Sequence, residues 1–207
     1  MNSDSYSSLE RKFLAPARQL LRGVFSPFVR VLAALHVSPN AVSFSQVILG
    51  FIVVALMRNQ PQLAFVLFVA AIALDGVDGA LARATNRATK FGALFDQYCD
   101  HIREVTVIAG LAWHGALNPF LAGFYGVTYP GFNLTLYLCN ANRVPLPIAI
   151  KSYLIVYPAL FAFLWFGVNV LDHAVALAIV SMGIAITLGL WRLQTAMRQS
   201  EIENRKS

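Results

Sequence analysis

The stretch "LDGVDGALARATNRATKFGALFDQYCD", residues 74–100, decides how this chain folds. Its aspartates fall at positions 75, 78, 96 and 100. Asp75 and Asp78 are spaced i, i+3 and Asp96 and Asp100 i, i+4, which puts each pair on one face of an α-helix. Between the pairs, "RATNRATK" at 83–90 is polar and basic and reads as a loop. The stretch therefore predicts two antiparallel helices, with the loop as the hairpin that sets their carboxylate faces toward each other.

The sequence around it is apolar. The chain has 207 residues, 57% of them hydrophobic and 13% charged, with a mean hydropathy of +0.61. A soluble domain is about 25% charged, so this composition predicts an all-α integral membrane protein in one bundle. Six transmembrane helices are expected at 41–57, 62–84, 93–113, 117–139, 150–171 and 173–194, each near the ~20 residues a crossing needs. The third is the least hydrophobic. Residues 1–40 form an arm whose segment "LERKFLAPARQLLRGVFSPFVRVLAALH", 9–36, interleaves apolar and basic residues. It reads as an amphipathic juxtamembrane helix, broken by Pro16 and Pro27, on the cytoplasmic face of the membrane. Residues 195–207 read as a polar cytoplasmic tail.

The charge distribution orients the bundle. With both termini cytoplasmic, Arg58 is the only basic residue left outside, and Arg103 falls within a span; the asymmetry predicts an N-in, C-in arrangement. The net charge of +6 sits at the ends of apolar segments, so nucleic acid is not an expected partner. Cys99 and Cys139 form no metal-ligand spacing or disulfide framework.

In this orientation the second span runs inward and the third outward. At about 1.5 Å rise per residue, Asp78 and Asp96 reach nearly the same depth in the cytoplasmic half, with Asp75 and Asp100 one turn deeper. Ionised carboxylates gathered in a low dielectric repel one another unless cations share the site. Oxygen-only ligands select hard divalent ions such as magnesium, manganese or calcium. Two such ions would roughly neutralise four aspartates and still attract a phosphate, as a two-metal phosphoryl-transfer site requires. Gly76, Gly79, Ala80, Ala82 and Gly92 thin the side-chain bulk around the acids, and Arg83 offers a bidentate partner for a diphosphate. In a purely structural alternative, the acids pair with Arg83, Arg87, Lys90 and Arg103. A cation or proton transporter is a rival from another class, but it predicts acids spread through the membrane depth. Here, past Glu104, none follows until Asp172.

Asp75-x-x-Asp78-Gly79-x-x-Ala82-Arg83, eight residues, then Gly92-x-x-x-Asp96-x-x-x-Asp100 resembles the complete signature of the CDP-alcohol phosphotransferase (CDP-alcohol phosphatidyltransferase) family. "SPNAVSF", 38–44, is similar to the stretch that often opens that family's first span, with Ser43 in place of threonine. The resemblance implies transfer of a phosphoalcohol group from a CDP-alcohol to a hydroxyl, with release of CMP. It implies that Asp75, Asp78 and Asp96 hold two divalent cations, Mg2+ or Mn2+, with Asp100 as a further ligand and the catalytic base. It also implies that Asp75, Asp78, Gly79, Ala82, Arg83 and Gly92 line the nucleotide and diphosphate site, and that the protein acts as a homodimer.

The expected partners are a CDP-alcohol lipid donor, a small polar alcohol acceptor and membrane lipids. Arg143 and Lys151 are the candidates for an acceptor phosphate. "GALFDQYCD" also resembles choline and ethanolamine phosphotransferases, in which diacylglycerol is the acceptor, but the better-known members of that branch are longer. The expected location is a cell inner or plasma membrane or an endomembrane, with the active site facing the cytoplasm.

Overall fold

Capping residues and prolines punctuate the chain where its helices begin. The hydroxyl of Ser38 accepts from the Ala41 N–H at 3.1 Å with Pro39 in the first turn, and the Asn118 side chain accepts from the Phe120 N–H at 2.9 Å ahead of Pro119. Both pairs supply partners for N–H groups that a helix start leaves unpaired. A computed structural model of the chain describes residues 25–144, 146 and 150–204; the expected arm before Phe25 lies outside them. Its helices are α1 (Phe25–Ala34), α2 (Pro39–Leu56), α3 (Pro61–Ala84), α4 (Lys90–Trp113), α5 (Pro119–Ala141), α6 (Tyr153–Phe166) and α7 (Leu171–Asn204). Among the described residues there is no strand.

Three helices, α2, α3 and α7, are long and apolar enough to cross a membrane. Large apolar side chains such as Phe44, Ile48, Phe51, Val66 and Leu177 face outward on them, as a lipid-facing surface requires. The polar side chains of α2 turn the other way, with Ser43 and Gln46 buried.

The helices close into a ring in which α3 packs on α2, α2 on α4, α4 on α5, α5 on α7, α7 on α6 and α6 on α3. Phe68, Tyr125, Phe132, Leu160 and Met182 fill its interior. The sequence-adjacent α3 and α4 pack chiefly against α2 rather than each other. The expected facing of the two helices is nevertheless present: the carboxylates of α3 and α4 approach one another, while α2 packs against both helices. The close α2–α4 approach depends on Gly110, where a β-carbon would stand 2.4 Å from Val54 Cγ2.

The bounds of the first four expected helices agree with α2–α5 within three residues at each end, though of these only α2 and α3 are among the helices long and apolar enough to cross a membrane. The fifth does not: α6 stops at Phe166, five residues early, because Gly167 takes a left-handed conformation (φ 73°). There the Gly167 N–H donates to the Phe163 carbonyl at 2.9 Å and the Val168 N–H to that of Ala162 at 3.1 Å, which terminates the helix. The sixth runs long, since α7 continues through the expected polar tail to Asn204. No proline or glycine interrupts residues 190–204, and polar residues there are compatible with a helix.

α1 lies against α3, burying Val29 beside Val77 and Leu81, with Phe25, Leu32 and Ala33 around them. One end of the bundle therefore gathers α1, the start of α2, the α3–α4 loop, the α5–α6 connection and the far end of α7. At the opposite end, the Asn118 N–H donates to Asp172 Oδ1 at 2.8 Å and the Asn169 side chain to the Ala116 carbonyl at 2.7 Å.

Candidate active site

The α3–α4 turn is short because Asn86 accepts a left-handed φ of 55°, letting the Arg87 N–H reach back to the Ala82 carbonyl at 2.8 Å. Thr89 then caps α4, its hydroxyl accepting from the Gly92 N–H at 2.9 Å. A β-carbon at Gly92 would lie 3.1 Å from that hydroxyl and 3.4 Å from Asn40 Oδ1, so a larger residue would crowd both the cap and α2.

Between α3 and α4, one carboxylate oxygen each from Asp75, Asp78 and Asp96 lies within 4.8 Å of the others. Asp78 is buried and held from several sides. Ser43 Oγ donates to its Oδ2 at 2.6 Å, Gln46 Nε2 donates to the same oxygen at 3.3 Å, and the Gly79 N–H donates to Oδ1. Asp96 Oδ1 is buried without a hydrogen-bond donor among the described residues. No ion pair among the described residues joins these three aspartates to a basic side chain. The set is all oxygen, Asp96 Oδ1 lacks a donor, and no basic side chain among the described residues is ion-paired to it, so it fits a hard divalent cation.

Asp100 stands outside that triplet. It comes within hydrogen-bonding reach of Asp75, and its Oδ1 pairs with Arg103 Nη1 at 3.0 Å. For this aspartate, the structural alternative of pairing with Arg103 describes the contact.

A cavity of about 220 Å³ opens beside the triplet between α2, α3 and α4. Asn40, Ser43, Asp78, Gly79, Ala82, Arg83, Gly92 and Asp96 line it, while Asp75 reaches the cluster from a turn deeper. A β-carbon at Gly79 would stand 3.3 Å from Arg83 Nη1, so the missing side chain makes room for the guanidinium to fold back along α3. Arg83 also lines a groove of about 270 Å³ between α1 and α3, with Ser26 and Arg30.

Arg143 and Lys151 are at the same end of the bundle, after α5 and before α6. Arg143 is exposed, with a left-handed φ of 60°. His101 sits edge-on to Tyr129 with centroids 5.3 Å apart and, among the described residues, joins no group of metal-ligating side chains.

Several polar contacts had no sequence signal. Gln46 is fully buried between Asp78 and Arg103. Glu104 accepts from the Tyr125 hydroxyl at 2.8 Å and the Tyr157 hydroxyl at 2.9 Å, which joins α4 to α5 and α6. The i, i+4 spacing from Asp100 to Glu104 was visible, but the tyrosines come from helices whose facing no local pattern sets.

Fold and site together define a helical membrane protein with a cation-ready acidic cluster at one end of the bundle. The chain belongs to the CDP-alcohol phosphatidyltransferase family, whose model matches residues 36–191. Among curated relatives, the archaetidylinositol phosphate synthase of Pyrococcus horikoshii is 34% identical over 111 residues, 48% of this chain and 56% of the relative. The CDP-diacylglycerol–serine O-phosphatidyltransferase of Helicobacter pylori is 39% identical over 69 residues, 33% of this chain and 29% of the relative. These matches thus span little more than half, or less, of the relatives' own length. The fold is shared with the Mycobacterium tuberculosis phosphatidylinositol phosphate synthase crystallised with CDP-DAG bound, at a TM-score of 0.69 and 20% identity, over 83% of this chain and 94% of that one.

Proposed function

We propose that this protein transfers a phosphatidyl group from CDP-diacylglycerol, or a related CDP-lipid, to the hydroxyl of a small polar alcohol, releasing CMP. The observation that carries the reading is the triplet of Asp75, Asp78 and Asp96 beside the cavity lined by Arg83. Family membership supports a cytidine-diphosphate donor. The M. tuberculosis neighbour bears CDP-DAG in one crystal structure and manganese with citrate in another, which supports the same donor and ion class.

Asp75, Asp78 and Asp96, with Asp100 as a further ligand, would hold two Mg2+ or Mn2+ ions. Bound there, the ions supply charge neutralisation for the diphosphate and the departing CMP. Arg83 grips the diphosphate as a two-pronged donor. Gly79, Ala82 and Gly92 leave room for the nucleotide against the helix backbones. Asp100 takes the proton of the acceptor hydroxyl while that oxygen bonds to phosphorus and the bond from phosphorus to the CMP oxygen breaks. Arg143 and Lys151 would face the acceptor if it carries a phosphate. The six helices α2–α7 each cross the membrane with both termini cytoplasmic, and the active site opens on that side. α6 has 14 residues, about 21 Å at 1.5 Å per residue, so its flanking residues complete the crossing. The assembly is a homodimer, as the resemblance implies.

The test is purified protein with Mg2+ or Mn2+, CDP-diacylglycerol and a panel of polar alcohols, with CMP as the readout. CMP release that EDTA abolishes and Mn2+ restores is the expected result. No CMP with any acceptor, and none with CDP-choline and diacylglycerol, would overturn the reading. Native mass in detergent tests the dimer.

A further inference from the structure

The signature residues account for the acids but not for a buried cation among them. Arg103 is 4% exposed inside an apolar bundle. Its Nη1 contacts three helices, reaching Asp100 Oδ1 on α4 at 3.0 Å, Gln46 Oε1 on α2, and, at 3.5 Å, the Ala71 carbonyl on α3. Gln46, at 0% exposure, carries the contact onward through Nε2 to Asp78 Oδ2.

We infer that Arg103 and Gln46 are positioning residues that brace Asp100 and Asp78 against each other, fixing the fourth aspartate relative to the cation-binding triplet. The inference rests on the reading of that triplet and of Asp100 given above. Neither brace residue belongs to the eight fixed positions of the family signature.

Three features support the inference. The first is direction. The guanidinium can only donate and an ionised Asp78 can only accept, so the Gln46 amide fits between them in one orientation, oxygen to Arg103 and nitrogen to Asp78. Turned over, it would set NH2 against guanidinium and oxygen against carboxylate. The second is convergence: one guanidinium nitrogen, Nη1, meets groups on α2, α3 and α4, a placement that the rigid guanidinium plane holds better than a flexible lysine stem. The third is close approach. Gly50, one turn from Gln46, lies directly against Arg103, where a β-carbon would stand 3.4 Å from both Arg103 Cα and Cγ, so this face of α2 runs along the arginine. Burying a charge costs several kcal/mol unless it is well paired, and an apolar side chain would pack this position without that cost. Groups that hold metal ligands in place typically change metal affinity about 10- to 100-fold when removed.

The experiment uses the full chain in detergent with the variants Gln46→Leu, Arg103→Lys and Arg103→Met. Mn2+ affinity is read from the free-ion EPR signal without substrates, and kcat and the donor KM from CMP release. Gln46→Leu should weaken Mn2+ binding at least 10-fold and lower kcat, with the donor KM within about 3-fold. Arg103→Lys should lower kcat about 10-fold and Arg103→Met further, so that restoring the charge rescues only part. Melting curves identify folded variants; should Arg103→Met not fold, Gln46→Leu and Arg103→Lys carry the test. Lower melting temperatures with Mn2+ affinity and kcat both within 2-fold of wild type would overturn the brace and leave Arg103 a packing element. Wild type that releases no CMP would instead sink the enzymatic reading, while the Mn2+ series still tests whether Gln46 supports the triplet.

Discussion

Glu104 is 2% exposed, and its two oxygens are each taken by a tyrosine hydroxyl from a different helix. Tyr125→Phe removes the donor to Oε1 and Tyr157→Phe the donor to Oε2, each leaving a buried acceptor unpaired without changing side-chain shape. Hydrogen bonds of this kind contribute about 1.5–3 kcal/mol. At about 2–4 °C per kcal/mol for a chain of this size, each variant should melt roughly 3–12 °C lower. Glu104→Leu should be worse than either, because it strands both hydroxyls. The triple variant Glu104→Leu, Tyr125→Phe, Tyr157→Phe should melt above Glu104→Leu alone, since replacing a whole polar cluster by apolar groups costs less than breaking it. Cys99 and Cys139 are 2% and 0% exposed, so a thiol-reactive fluorogen reports unfolding without added labels. A triple variant less stable than Glu104→Leu, or tyrosine variants within about 1 °C of wild type, would refute the tie.

Further outcomes follow from other sites. Asp100→Asn should abolish CMP release while the protein still folds, with a lower melting temperature because the buried Arg103 loses its charged partner; turnover near the wild-type rate would remove Asp100 as the base. Gly110→Ala drives a methyl to 2.4 Å from Val54 Cγ2 and should cost about 1–3 kcal/mol, most of it recovered by Val54→Ala in the same chain, as melting temperatures would show. In inverted and right-side-out vesicles, an impermeant maleimide should label Arg58→Cys and Arg198→Cys from opposite faces, and labelling from one face would overturn the proposed topology.

Much of the bundle was legible because apolar segments long enough to cross a membrane have few alternatives to a helix. α4 was legible for another reason. Its hydropathy is poor, but the i, i+4 register of Asp96 and Asp100 behind a polar loop marks a helix on its own. The errors came where composition and conformation part. Phe166 and Val168 are both apolar, so a hydropathy window runs through Gly167, where the backbone turns left-handed and α6 ends. After Trp191 the window falls while the helix continues. The gathering of the aspartates was readable from their spacing, whereas the separate place of Asp100 depends on Arg103, whose partners lie on three helices. Local sequence does not set the rotation of α2 against α4, so Gln46 carried no signal.

The loose contact between α3 and α4 gives the site its character. Two helices joined by a short turn would normally pack along their length, and here the facing positions carry Asp75, Asp78, Asp96 and Asp100. With the carboxylates already gathered between them, closer packing would press like charges further together in a low dielectric, so the pair gains little from closing. α2 instead takes up both helices, and it does so with polar groups where it meets the acids and with glycine where it meets α4. Ser43 and Gln46 hold Asp78, and Gly50 lies against Arg103. The width of the gap is thus set from outside the signature, by a helix that contributes none of the four aspartates. A substitution on the buried face of α2 should therefore shift cation affinity while leaving every signature residue in place, and one on its outward face, at Ile48 or Phe51, should not.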